Sequence, residues 1–133
     1  MSYYWKLVKN FMAEEEMSQQ LQDQINRLQQ LRTQLQIITQ QNQQVEIRLK
    51  ETEEALEELD KTDPKSPIYK NVGSVLIKAK GKGEVIKELK SMKESLDLRK
   101  STLNKQEGRT REKLNELQSK VQNAIKLSNN IQT

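Results

Sequence analysis

Five of the six helix-breaking residues in this 133-residue chain, Pro64, Pro67, Gly73, Gly81 and Gly83, crowd into one short window, and the sixth is Gly108. To the left of that window, Met17 to Asp60 contains neither Gly nor Pro and is dominated by Gln, Leu, Glu and Arg. These side chains lose little rotamer freedom in a helix, so the stretch predicts one long helix. Met17, Leu21, Leu28, Leu31, Leu35, Ile38, Val45, Leu49, Leu56 and Leu59 recur on alternating three- and four-residue steps, broken only by Gln24, Asn42 and Thr52. A stripe of that period on a polar helix is a coiled-coil seam, and a polar Asn42 within it fixes register.

To the right, Glu84 to Leu127 carries a second stripe: Val85, Leu89, Met92, Leu96, Leu103, Leu114, Leu117, Val121 and Ala124. The eleven-residue step from Leu103 to Leu114 spans Gly108 and Thr110. It predicts a stutter with local unwinding. Two stripes of equal length joined by a short connector predict an antiparallel helical hairpin, each half covering the other. The expected divisions are an extension and tip at 1–16, a first coiled-coil helix at 17–60, a connector at 61–83, a second helix at 84–127 and a tip at 128–133.

Composition agrees with a thin seam rather than a ball. Only 33% of residues are hydrophobic against 32% charged, where compact domains run nearer half apolar. Cys and His are both absent, which removes disulfides, thiol and imidazole chemistry and the usual zinc ligands. No enzyme activity, cofactor or metal is expected. Gly81-Lys82-Gly83 is followed by Glu84, not by the Ser or Thr of a phosphate loop. The carboxylates Glu53, Glu54, Glu57 and Glu58 read as solvated helix surface. The twelve Gln between Ser18 and Gln44 read the same way.

Charge is unevenly placed. Residues 1–67 hold eight Lys/Arg against twelve Asp/Glu, and residues 68–133 hold fifteen against seven. Halves of −4 and +8 that fold back on each other attract, which accounts for the basic half without nucleic acid. A basic nucleic-acid binder is the weaker reading, because Lys outnumbers Arg and no aromatic reading surface accompanies it.

Within the connector, Ile68 to Lys80 places two β-rich runs around Gly73-Ser74, the pattern of a two-residue hairpin turn. Ile68, Tyr69, Val72, Val75, Leu76 and Ile77 are more apolar than a loop needs. An isolated hairpin is marginal in water and its edges are open. Pairing with strands of other subunits, closing a sheet or barrel, is therefore expected, the alternative being a hairpin that lies over the helix ends of a monomer. A polar turn would serve a simple tethering coiled coil, the rival structural reading.

The run Ile68-Tyr69-Lys70-Asn71-Val72-Gly73-Ser74-Val75-Leu76-Ile77-Lys78 resembles the core signature of prefoldin beta-class subunits. Glu88-Leu89-Lys90, Leu96-Asp97-Leu98-Arg99, Lys105-Gln106-Glu107 and Leu114-Asn115-Glu116-Leu117-Gln118 look like the helix that follows it, so the resemblance spans about Met17 to Leu127. It implies a mainly α fold, a long antiparallel two-helix coiled coil whose short β-hairpin connector assembles into an intersubunit β-barrel. It also implies a hexamer of two alpha-class prefoldin subunits and four beta-class copies, working without ATP. Its tentacle tips would capture unfolded client proteins and pass them to a group II chaperonin. The cytoplasm is the expected location because the sequence has no run of eighteen apolar residues and no signal-peptide stretch. The single short hairpin fits the beta class.

On that resemblance, client contacts are expected at Tyr4, Leu7, Val8, Phe11, Met17, Leu21 and Ile25, opposite Val121, Ile125, Leu127 and Ile131. Leu21 and Val121 double as seam residues. Lys120 and Lys126 are candidates for meeting an acidic chaperonin rim. Met1 to Met12 departs from the family pattern: Tyr4, Leu7, Val8, Phe11 and Met12 share one helical face. That segment could serve client capture, touch a membrane, or stand as an upstream extension before a start at Met12. Neither nucleic acid nor membrane is expected among the partners.

Overall fold

The computed structural model describes residues 2–131, with side chains from 3 to 129. Helix α1 spans Ser2–Lys61, strand β1 Tyr69–Val72, strand β2 Val75–Lys78 and helix α2 Lys82–Ile131. Both helices exceed the expected bounds. The helix starts well before Met17, because nothing between Ser2 and Glu16 breaks it and the aromatic face carries the same periodicity. The chain forms two compact units, Met1–Ile38 with Gln106–Thr133, and Thr39–Lys105.

In the second unit the helices run antiparallel. Asn42 Nδ2 donates to Asn104 Oδ1 at 2.7 Å, Lys100 Nζ meets Glu46 Oε1 at 3.1 Å, and Lys93 Nζ lies 3.7 Å from Glu53 Oε1. Partner numbers fall on α2 by as much as they rise on α1, the mark of one fixed register. Val45, Leu49, Thr52, Leu96 and Leu103 are buried in this seam. Thr52 meets its hydroxyl by donating to Arg48 O within α1, so its burial leaves no donor stranded. In the first unit Leu28, Leu31, Ile38, Thr110 and Val121 are buried. No described side chain is completely sealed from solvent, as a two-helix seam with so few apolar residues must be.

The expected stutter is absent. Helix α2 passes through Gly108 without a break, and its stripe is regular when polar residues are admitted to it. Ile86, Leu89, Lys93, Leu96, Lys100, Leu103, Glu107, Thr110, Leu114, Leu117, Val121 and Ala124 follow strict three- and four-residue steps, and every one is buried or half-buried. The step from Leu103 to Leu114 is simply filled by Glu107 and Thr110. Met92 sits beside the stripe, 43% exposed. Lys93 and Lys100 hold seam positions because their stems cover the seam while their ammonium groups reach Glu53 and Glu46.

The connector begins where α1 ends. Lys82 Nζ donates to Asp60 O at 3.2 Å and to Thr62 O at 2.8 Å, satisfying carbonyls a helix C-terminus leaves open and opposing its dipole. Asp63 Oδ1 accepts from Lys65 N, turning the chain through Pro64. The strands pair antiparallel in the register Tyr69↔Lys78, Lys70↔Ile77, Asn71↔Leu76 and Val72↔Val75. Gly73 has φ +62°, the value the first position of a type II′ turn needs and a side chain resists.

Candidate functional site

The hairpin is the first place where the fold leaves chemistry unfinished. Opposed residues in a sheet share a face, so Tyr69 and Leu76 lie on one side while Val72, Val75 and Ile77 lie on the other. All five are between 48% and 67% exposed, and Ile68 is half-buried. Two strands make the whole sheet, so both outer edges present unpaired backbone groups as well. A sheet apolar on both faces and open on both edges cannot be its own core. Ala79 N donates to Ile68 O at 2.8 Å, and Ala79 is buried at the hairpin's base.

One charged residue anchors this surface. Lys70 Nζ donates to Glu88 Oε1 at 2.8 Å and to Oε2 at 3.0 Å, tying β1 to the first turns of α2. That hydrogen bond, opposed by desolvation and reinforced by the charges of Glu88 and Glu84, holds the Lys70 pKa above its ordinary value. Sequence reasoning overlooked this pair. A lysine eighteen positions from its carboxylate leaves no periodic trace.

The first unit holds the other group of expected residues. Tyr4, Leu7, Phe11 and Met17 are exposed, Val8 half-buried. Leu21 and Ile25 are half-buried, and Val121 is 6% exposed in the seam. Ile125 and Leu127 stand 41% and 58% exposed on α2. The Ile131 side chain lies outside the described residues. A groove of about 280 Å³ runs between the helices here, floored by Met17, Leu21, Ala124 and Leu127 and walled by Gln20, Gln24, Asn123 and Lys120. It exists because Gln24 and Ala124 take seam positions where a leucine would close the gap. Lys120 thus lines an apolar groove, while Lys126 is exposed on α2 outside its lining.

Tyr3, Trp5 and Met12 join the expected N-terminal residues, at 78%, 61% and 59% exposure. The sequence signal for Tyr3 and Trp5 was their placement at the two margins of the apolar face. Among the described residues no group of His, Cys, Asp or Glu is arranged to hold a metal ion. Among the same residues no helix is long and apolar enough to cross a membrane.

The sequence and the fold have counterparts among known proteins. The family model described as prefoldin subunit matches residues 22–127. A prefoldin subunit beta of Archaeoglobus fulgidus is 47% identical over 110 residues, covering 83% of this chain and 94% of that protein. The corresponding protein of Thermoplasma volcanium is 36% identical over 110 residues, covering 83% and 89%. The crystal structure of the prefoldin beta subunit from Thermococcus strain KS-1 shares the fold with a TM-score of 0.70 at 35% identity, over 79% of this chain and 91% of that one.

Proposed function

The chain belongs to the prefoldin family as a beta-type chaperone subunit, and from that premise we propose how its parts divide the work. The hairpin assembles: Tyr69, Val72, Val75, Leu76 and Ile77 are covered by strands of neighbouring subunits, in a complex of two alpha-class and four beta-class chains. Its exposed apolar faces carry this reading, because water-facing Val, Leu and Ile on a two-stranded sheet are stable only under a partner. A tether without holdase activity needs no such surface.

Capture falls to the far ends of the helices. Ile125, Leu127, Met17 and the groove floored by Leu21 and Ala124 offer apolar area without a fixed shape. Unfolded polypeptides present apolar side chains in no set order, so non-directional contacts repeated over several tips suit them. No nucleotide takes part. Delivery to a group II chaperonin, with Lys120 and Lys126 facing an acidic rim, completes the cytoplasmic cycle.

The test is aggregation suppression of a chemically unfolded protein by the purified complex, without ATP. Wild type should suppress at stoichiometric amounts, and Ile125→Ser with Leu127→Ser should weaken it severalfold at unchanged complex mass. Equal suppression by both would remove these residues from capture. No suppression by wild type would remove the holdase reading.

A further inference from the structure

The opening turns of α1 carry a surface that neither the seam nor the hairpin uses. Tyr3, Tyr4, Trp5, Leu7, Phe11 and Met12 are 55–78% exposed. With half-buried Val8 they occupy about 200° of the helix at 100° per residue, while Lys6, Lys9 and Ala13 fill the other side. Continuing the seam steps back from Leu21 leads through Met17, Glu14, Asn10, Leu7 and Tyr3, so most of the arc points away from the coiled coil. The register that sets Met17 beside Leu127 leaves no described residue of α2 alongside it. The family-model match covers residues 22–127 and does not include this segment.

Its chemistry is specific. A partner helix would call for Leu and Ile knobs at three- and four-residue steps. Here there are instead Trp, Tyr and Phe, whose apolar rings and polar tips suit a boundary between oil and water. Charge is one-sided, since Lys6 and Lys9 precede the first acidic residue, Glu14. Lys9 Nζ lies over the Trp5 ring, 5.9 Å from its centroid, a cation–π contact at the margin of the apolar face.

We propose that residues 3–12 form an amphipathic helix that lies on an anionic lipid surface, with Phe11, Tyr4 and Trp5 at the headgroup boundary and Lys6 and Lys9 against the anionic headgroups. Lying on a surface needs no spanning helix. Three turns bind weakly as one copy, and several copies in one complex add their affinities. The proposal does not depend on client capture.

Trp5 is the chain's single tryptophan, so an emission change of the complex that Trp5→Phe removes reports on this segment. The assembled complex is titrated with phosphatidylcholine vesicles, with and without phosphatidylglycerol. Flotation is measured in parallel. A blue shift and flotation with the anionic vesicles are expected, both falling when salt is raised. Lys6→Glu with Lys9→Glu should weaken binding at least about tenfold, and Leu7→Ser with Phe11→Ser should abolish it while Trp5 remains as reporter. Unshifted emission on anionic vesicles overturns the proposal. So does equal binding to neutral vesicles, or a shift produced by an unfolded client but not by lipid. Emission already blue-shifted without vesicles, and diluting away, would mean contact between copies and overturn it too.

Discussion

Replacing Val75 and Ile77 together by Asp should dismantle the complex and leave the chain's own fold standing. In the single chain these side chains are 56% and 48% exposed. About half of the 1.5–3 kcal/mol released by fully burying each is thus gained only on assembly, about 1 kcal/mol apiece. A carboxylate carried into the same place costs several kcal/mol more. Taking about 2 kcal/mol for each, because water reaches strand edges, the double variant loses about 6 kcal/mol per subunit on assembly. At 1.4 kcal/mol per tenfold that weakens association about 10⁴-fold. Within the lone chain both aspartates face solvent, so helix stability should move by no more than about 0.5 kcal/mol. Native mass spectrometry reads the first effect and circular dichroism the second. A complex of unchanged mass would refute the assembly argument. Lost helicity would show that the hairpin supports the coiled coil directly.

Three further perturbations probe the fold. Leu103→Ala removes a side chain only 4% exposed and should cost about 2–4 kcal/mol, read as a lowered denaturation midpoint. Gly73→Ala meets no atom within 4 Å but inherits φ +62°, so it should cost about 1 kcal/mol, with Gly73→Asn costing less because Asn tolerates that conformation. The Lys70–Glu88 contact stabilises the charged lysine, so its contribution is present below the ordinary lysine value of 10.5 and is lost as pH rises through the raised value. Hydrogen exchange in β1 should therefore accelerate above that pH beyond its intrinsic rise. Lys70→Met should erase the difference.

The first helix and the hairpin were legible in the sequence because their signals are local. Leucine spacing marked the α1 seam from Leu21 to Leu59, although Met17, counted with it, is exposed, and Gly73-Ser74 between two β-rich runs gave the strands and their turn. The second stripe is hidden around Gly108 because polar Glu107 and Thr110 fill its places there. Lys93, Lys100 and Glu107 hold seam places as partly buried ionic side chains, which the stripe shows only once their partners are known. Helix α1 reached further than expected because an amphipathic aromatic run ahead of Met17 was divided from a heptad that continues its helical phase. Towards the end of α2, exposure separated Leu127 and Ile125 from Val121. All three are aliphatic residues on one helix, and only packing distinguishes them.

The two lysines seated in the α2 seam bear on which chains this one will accept. Were α2 to pair with another α2, Lys93 and Lys100 would lie where no Glu46 or Glu53 awaits them. Were α1 to pair with another α1, those glutamates and Asn42 would lose the groups they meet. Each helix is thus written to recognise its own other half and to refuse strangers. Subunits of different kinds can then meet without exchanging helices, and on the proposed assembly the choice of neighbour passes to a few exposed residues on two short strands.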